Sequence, residues 1–191
     1  MSFAIYTAIA NGYDYPRRVP NALKGIDFIC FTDSISKYRA IESGWTVRDL
    51  PVAASSDPVR LCRDIKIRPH RYLDGYSHSL WVDASIQVTE KSLSEIVDLL
   101  TDGALLATFK HPFRGSVIEE ALACKSLMKD DPNIIDAHLE FLERESFPDN
   151  YGLFETGVMF RYHAHERIVS AMEIWSNILK RYSKRDQLSL G

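Results

Sequence analysis

A layered α/β fold, with a mostly parallel central sheet flanked by helices, is the architecture this sequence predicts. Short apolar runs rich in β-branched and aromatic residues alternate along the chain with segments that carry apolar residues at helical spacing. Acids, hydroxyls and a histidine follow directly after those runs, at the carboxyl ends of strands, where ligands bind in sheets of this kind.

The elements follow in order. Phe3 to Ala10 is a strand that stops at Asn11-Gly12, a turn signal. Asp27 to Asp33 is a second buried strand, and Trp45 to Leu50 a shorter third. Ser55-Ser56-Asp57-Pro58 starts a helix, with a capping side chain followed by proline in the first turn, and Pro69 ends it after Arg68. His78 to Ser85 is a strand, Ser92 to Leu100 a short amphipathic helix, and Ala104 to Lys110 a strand that halts at His111-Pro112. Ser116 to Lys129 and Asn133 to Glu145 are helical, separated by Asp131-Pro132, and Leu153 to Tyr162 is a late strand. Glu166 to Tyr182 closes the series as a helix with Ile168, Met172, Trp175, Ile178, Leu179 and Tyr182 on one face.

The 191 residues suit one domain spanning 1–191. A composition 46% hydrophobic and 26% charged excludes a disordered chain, and a net charge of -3 provides no global attraction to nucleic acid or an anionic membrane. Any grip on phosphate must come from a local basic cluster. Cys30, Cys62 and Cys124 lack the paired spacings of a zinc site and suit reduced, buried thiols. No signal peptide and no 18-residue apolar span is present, so a cytoplasmic protein is the simplest expectation, though a domain cut from a longer anchored protein would have the same sequence.

Four constellations could carry chemistry. In Ser79-Leu80-Trp81-Val82-Asp83-Ala84-Ser85, a buried strand delivers an acid to the sheet edge. If the strand persists, Asp83 and Ser85 point to the same side and can face one divalent cation or a sugar hydroxyl; the alternative is that Asp83 only caps a turn. Arg60, Arg63 and Lys66 fall within a stripe of roughly 120° on the helix after Pro58, opposite Leu61, Cys62 and Ile65. Such a stripe suits a diphosphate, or is a solvated face paired with Asp57 and Asp64. His111-Pro112-Phe113-Arg114 offers a histidine as ligand, acceptor contact or proton carrier, or a structural residue. Glu155 and Asp186 are candidate carboxylates for a general base or for holding sugar hydroxyls, and either could equally be a helix cap or a surface ion pair. The dinucleotide, P-loop and esterase signatures are absent, and basic residues are not interleaved with aromatics as in RNA-binding sheets.

In order, YTAIANGYD from Tyr6, DFICFTD from Asp27, R-x-x-R-x-x-K-x-x-P-H from Arg60, LWVDASI from Leu80, HPFR from His111, GLFETG from Gly152 and RDQLS from Arg185 run nearly the length of the chain. This set resembles the glycosyltransferase-like domain long catalogued as a domain of unknown function, whose plant-type relatives include Golgi proteins of cell-wall polysaccharide synthesis. The resemblance implies a GT-A-type nucleotide-diphospho-sugar transferase fold, a nucleotide-sugar donor with UDP-sugar as first expectation, a glycan or other hydroxyl acceptor, and Mn²⁺ or Mg²⁺. It assigns the nucleoside to Thr7, Ala8 and Asp33, and the diphosphate to Arg60, Arg63 and Lys66. It assigns an Asp-x-Asp-like metal motif to Asp83 and Ser85, and the sugar and acceptor side to His111, Arg114, Glu155, Thr156, Asp186 and Gln187. Asp186, Glu155 and His111 are its catalytic candidates. Ser85 stands where the family's second acid is expected, with His111 as a substitute ligand, and the chain stops five residues after Asp186, where relatives continue. A sugar transferase is therefore expected, with a non-catalytic nucleotide-sugar or glycan-binding module as its rival and a nucleotidyltransferase as a third reading.

Overall fold

A computed structural model describes residues 2–23, 25–51, 57–148 and 151–190. Its six strands are β1 (Phe3–Ile9), β2 (Asp27–Thr32), β3 (Thr46–Asp49), β4 (His78–Val82), β5 (Leu106–Lys110) and β6 (Phe154–Arg161), in the spatial order β3-β2-β1-β4-β6-β5. Strands β1 to β4 pair in parallel. β6 lies antiparallel to both β4 and β5, so β5 runs in the same direction as the first four. The mostly parallel α/β class expected from the alternation of elements is the class observed, with one inverted strand. Because of that inversion the start of β6 and the ends of β4 and β5 share one edge of the sheet.

Alternate residues of β1 supply two cores, as the two-residue strand period dictates. Ala4 and Tyr6 join Ile29, Phe31, Trp81 and Met159 beneath α2 (Pro58–Ile67) and α6 (Glu166–Arg181). Ile5 and Ile9 join Phe28, Leu80, Val82 and Phe160 on the other face, closed by α1 (Ser34–Glu42) through Ala40 and by α3 (Glu90–Thr101) through Ile96. A third cluster packs α4 (Val117–Ser126) and α5 (Pro132–Arg144) against Leu153 and Leu188.

Side-chain caps start these helices at predictable residues. Asp57 accepts from the Val59 and Arg60 amides with Pro58 in the first turn, and Asp131 accepts from Asn133 ahead of its own helix. Each such cap contributes about 1 kcal/mol. Ser55 and Ser56, part of the expected helix start, lie outside the described residues. α1 was not foreseen, because its apolar residues Ile35, Tyr38 and Ile41 face solvent and periodicity finds no buried stripe there. The expected strand from His78 to Ser85 is shorter: it ends at Val82, and a turn closed by the Ile86 amide on the Asp83 carbonyl follows.

Candidate active site

Of the residues singled out in the sequence, Asp83, Arg63, Lys66 and Asp186 meet at the carboxyl edge of the sheet. The turn after β4 keeps the Asp83 carboxylate on the same side as Trp81, whose indole Nε1–H donates to Oδ1 at 2.8 Å. The Asp83 amide donates to the Gly157 carbonyl at 2.8 Å, which fixes the turn to the inverted strand β6. A methyl group on Gly157 would stand 3.1 Å from Ile86 Cδ1 and 3.4 Å from Asp83 Oδ2, so glycine leaves that second oxygen room. The strand ends before Ser85, so strand alternation does not set the side of Ser85 relative to Asp83. Ser85 is exposed, and its carbonyl accepts from Arg17 Nε at 2.9 Å.

The helical stripe divides into different roles. Arg60 donates to the carbonyls of Leu179 and Tyr182, and so caps the last turn of α6 instead of facing the strand ends. Arg63 lies 3.4 Å from Asp186 Oδ2. Lys66 is wholly buried, with its Nζ 2.6 Å from Asp186 Oδ2 and 3.6 Å from Asp83 Oδ1. The expectation that this stripe opposes the buried face is thus corrected for Lys66. The end of α2 is covered on both sides, with Ile65 and Ile67 buried as well, because α6 packs across it. Burial alone would raise the Asp186 carboxyl, but the Arg63 and Lys66 cations hold it well below the ordinary range. Burial likewise pulls the Lys66 ammonium below the usual lysine range, and Asp186 opposes that shift.

A second cluster continues along the same edge. The Phe113 and Arg114 amides donate to His111 Nδ1 at 3.2 and 2.9 Å, and Nε2 faces Arg114 Nη2 at 2.9 Å and Glu155 Oε1 at 3.5 Å. Arg114 Nε also donates to Glu120 Oε2 at 2.5 Å, and Glu120 Oε1 stands 3.9 Å from Arg185. Glu120 is a buried acid that sequence reasoning missed. Its signal is its place among Val117, Ala121 and Cys124, the residues that α4 buries at helical spacing. Trp81 and Tyr6 were missed too, since an aromatic in a buried strand ordinarily reads as core. The Tyr6 hydroxyl donates to the Lys66 carbonyl at 2.7 Å and accepts from Arg161 at 2.6 Å.

The remaining candidates hold the frame together. Asp33 caps α1 through the Ile35 and Ser36 amides and accepts from the Asn11 amide, tying the turn after β1 to that helix. Asn11 and Gly12 both adopt positive φ there, the conformation Asn-Gly provides most easily. Thr7 is buried on the face of Ile5 and Ile9, whereas Ala8 packs against the Tyr6 and Trp81 core. Thr156 is buried in β6, and Gln187 donates to the Phe154 carbonyl at 3.4 Å, joining the 3-10 turn Asp186–Ser189 to that strand.

The family model of the TOD1/MUCI70 glycosyltransferase-like domain matches residues 45–191. The chain belongs to that family. The fold agrees with solved glycosyltransferases. A crystal structure of apo mouse xyloside xylosyltransferase 1 superposes with a TM-score of 0.55 at 11% identity, covering 98% of this chain and 80% of that one. The apo structure of the bifunctional glycosyltransferase WbbM gives 0.53 at 14% identity, covering 98% of this chain and 36% of that larger one. No curated protein sequence matches. Among the described residues no helix is long and apolar enough to cross a membrane.

The divalent cation that the glycosyltransferase resemblance implies can be tested against this donor set. Among the described residues no three His, Cys, Asp or Glu side chains come together as a metal cluster. Asp83 Oδ1 already accepts from Trp81 and faces an ammonium. A divalent ion about 2.1 Å from Oδ1 could stand no farther than about 5.7 Å from Lys66 Nζ, a repulsion of about 6 kcal/mol at an effective dielectric near 20. Asp83 Oδ2 is left open at this turn, but one carboxylate oxygen is not the oxygen set that a divalent cation takes, so the described residues of this TOD1/MUCI70 domain do not fit the cation.

Proposed function

We propose that this domain transfers a sugar from a nucleoside-diphosphate donor, UDP-sugar first among them, to a glycan or other hydroxyl acceptor. One observation carries the reading. At the strand edge of a glycosyltransferase-like domain, two cations one helical turn apart are held by the buried Asp186, beside a half-exposed Asp83 with one oxygen left for a ligand. Asp83 Oδ2 would accept from a hydroxyl of the donor sugar. Positive potential from Arg63 and Lys66 would stabilise the departing diphosphate, the charge that grows most in the transition state. Glu155, part-exposed and beside His111, would take the acceptor proton. Asp186 is sealed from the acceptor by its ion pairs, so its role here is to position the two cations.

The test is turnover of a UDP-, GDP- and CDP-sugar panel with simple glycan acceptors, comparing the wild type with Asp83→Ala and Glu155→Gln. Transfer or hydrolysis that falls at least a hundredfold in Asp83→Ala is expected. Tight binding of a nucleotide sugar with no turnover by any version would instead establish the non-catalytic binding module.

A further inference from the structure

The Lys66 ammonium is a fixed part of the fold. Its side chain has no exposed surface, its Nζ lies 5.4 Å from the centre of the Trp81 ring, and its carbonyl is held by the Tyr6 hydroxyl. It touches both carboxylates of the edge, Asp186 at 2.6 Å and Asp83 at 3.6 Å, and Arg63 meets the same Asp186 oxygen. Two acids are therefore matched by two cations. Hard divalent cations are gathered by oxygen ligands whose charge is still available, which is not the situation here. Ser85, where a second acid would extend the set, is exposed in the turn beyond Asp83 with its carbonyl held by Arg17.

We propose that the donor site works without a divalent metal, with Lys66 as its built-in counter-cation. This rests on the donor reading above. Lys66 neutralises Asp83 from beneath, so that carboxylate can stand near a diphosphate without repelling it. Arg63, 22% exposed at its side chain, is the cation that meets the diphosphate. In the transfer step the bond between the anomeric carbon and the β-phosphate oxygen breaks, and its electron pair stays on the nucleoside diphosphate. The acceptor oxygen forms the new bond to that carbon, and its proton passes to Glu155. Lys66 touches no substrate and acts through Asp83 and Asp186, as a positioning residue.

The experiment is calorimetric binding of UDP, GDP, CDP and ADP to the wild-type protein, in EDTA and again with excess Mn²⁺. At least one is expected to bind in EDTA with a Kd within about threefold of its value in Mn²⁺. Arg63→Gln is expected to weaken that binding by roughly tenfold or more in EDTA while the protein stays folded by circular dichroism. Lys66→Met leaves two acids with Arg63 as their single remaining cation and is expected to gain Mn²⁺ binding that the wild type lacks, seen as loss of the free-Mn²⁺ electron paramagnetic resonance signal. A nucleotide that binds tenfold or more tighter in Mn²⁺ overturns the metal-free site while leaving the donor reading intact. Unchanged binding by Arg63→Gln overturns the role of that cation, and a folded Lys66→Met that takes no Mn²⁺ overturns the role of Lys66. If no nucleoside diphosphate binds under either condition, the donor reading fails and this inference fails with it.

Discussion

Replacing Asp186 by asparagine removes one charge from a group of four, of which Asp186 and Lys66 are buried, and changes almost no volume. In the wild type its carboxylate faces Lys66 at 2.6 Å and Arg63 at 3.4 Å, with Lys66 wholly out of solvent. The variant leaves the ammonium buried with only Asp83, at 3.6 Å, to answer it. Breaking a buried pair from one side costs about 3–5 kcal/mol, against a total stability on the order of 5–15 kcal/mol for a domain. Asp186→Asn should therefore remain folded at room temperature but melt about 10 °C lower. Urea unfolding followed by tryptophan fluorescence is the assay, because Trp81 stands over Lys66 and the Trp175 indole N–H donates to the Asp186 carbonyl at 3.2 Å. The control is the double variant Lys66→Met/Asp186→Asn. With both charges gone the desolvation penalty disappears too, so the double should lose less stability than the two singles together, by about 2 kcal/mol or more. A single-variant loss under about 1 kcal/mol, or strict additivity in the double, would refute the claim that Lys66 depends on Asp186.

Other expectations concern the frame. Burial pushes His138 and His163 down to about 4, so both are neutral in the fold and take up protons more readily when unfolded. Their contribution should be complete above about pH 6.5 and fall as pH drops toward 4, at up to about 2.7 kcal/mol per pH unit from the two together. Urea midpoints across that range should flatten in His138→Leu. Tyr6→Phe strips a donor from the Lys66 carbonyl and an acceptor from Arg161, and should cost about 1–3 kcal/mol by the same denaturation. Arg60→Ala should lower Tm by several degrees, about 1–2 kcal/mol, through loss of the α6 cap, and leave nucleotide affinity within about twofold by calorimetry.

What the sequence makes legible here is whatever depends on neighbours along the chain. Asn-Gly after β1, Asp57-Pro58 and Asp131-Pro132 are local signals, and each sits where its local physics puts it. The direction of β6 is not local: alternation is the same for either orientation, and the crossover through α4 and α5 decides it. The clearest case is the stripe Arg60, Arg63, Lys66. Helical spacing makes the three equivalent, but in the packed fold each successive turn of α2 meets a different environment. The first turn reaches the carbonyl end of α6, the second leaves a partly open arginine on the buried Asp186, and the third a sealed ammonium between two carboxylates. A helical wheel projects out the axis along which these environments change. The same loss explains Asp186, which from its flanking Lys184 and Arg185 reads as a surface acid. It is the partner that Lys66 requires once that ammonium is buried, so the two positions can be understood only as a pair.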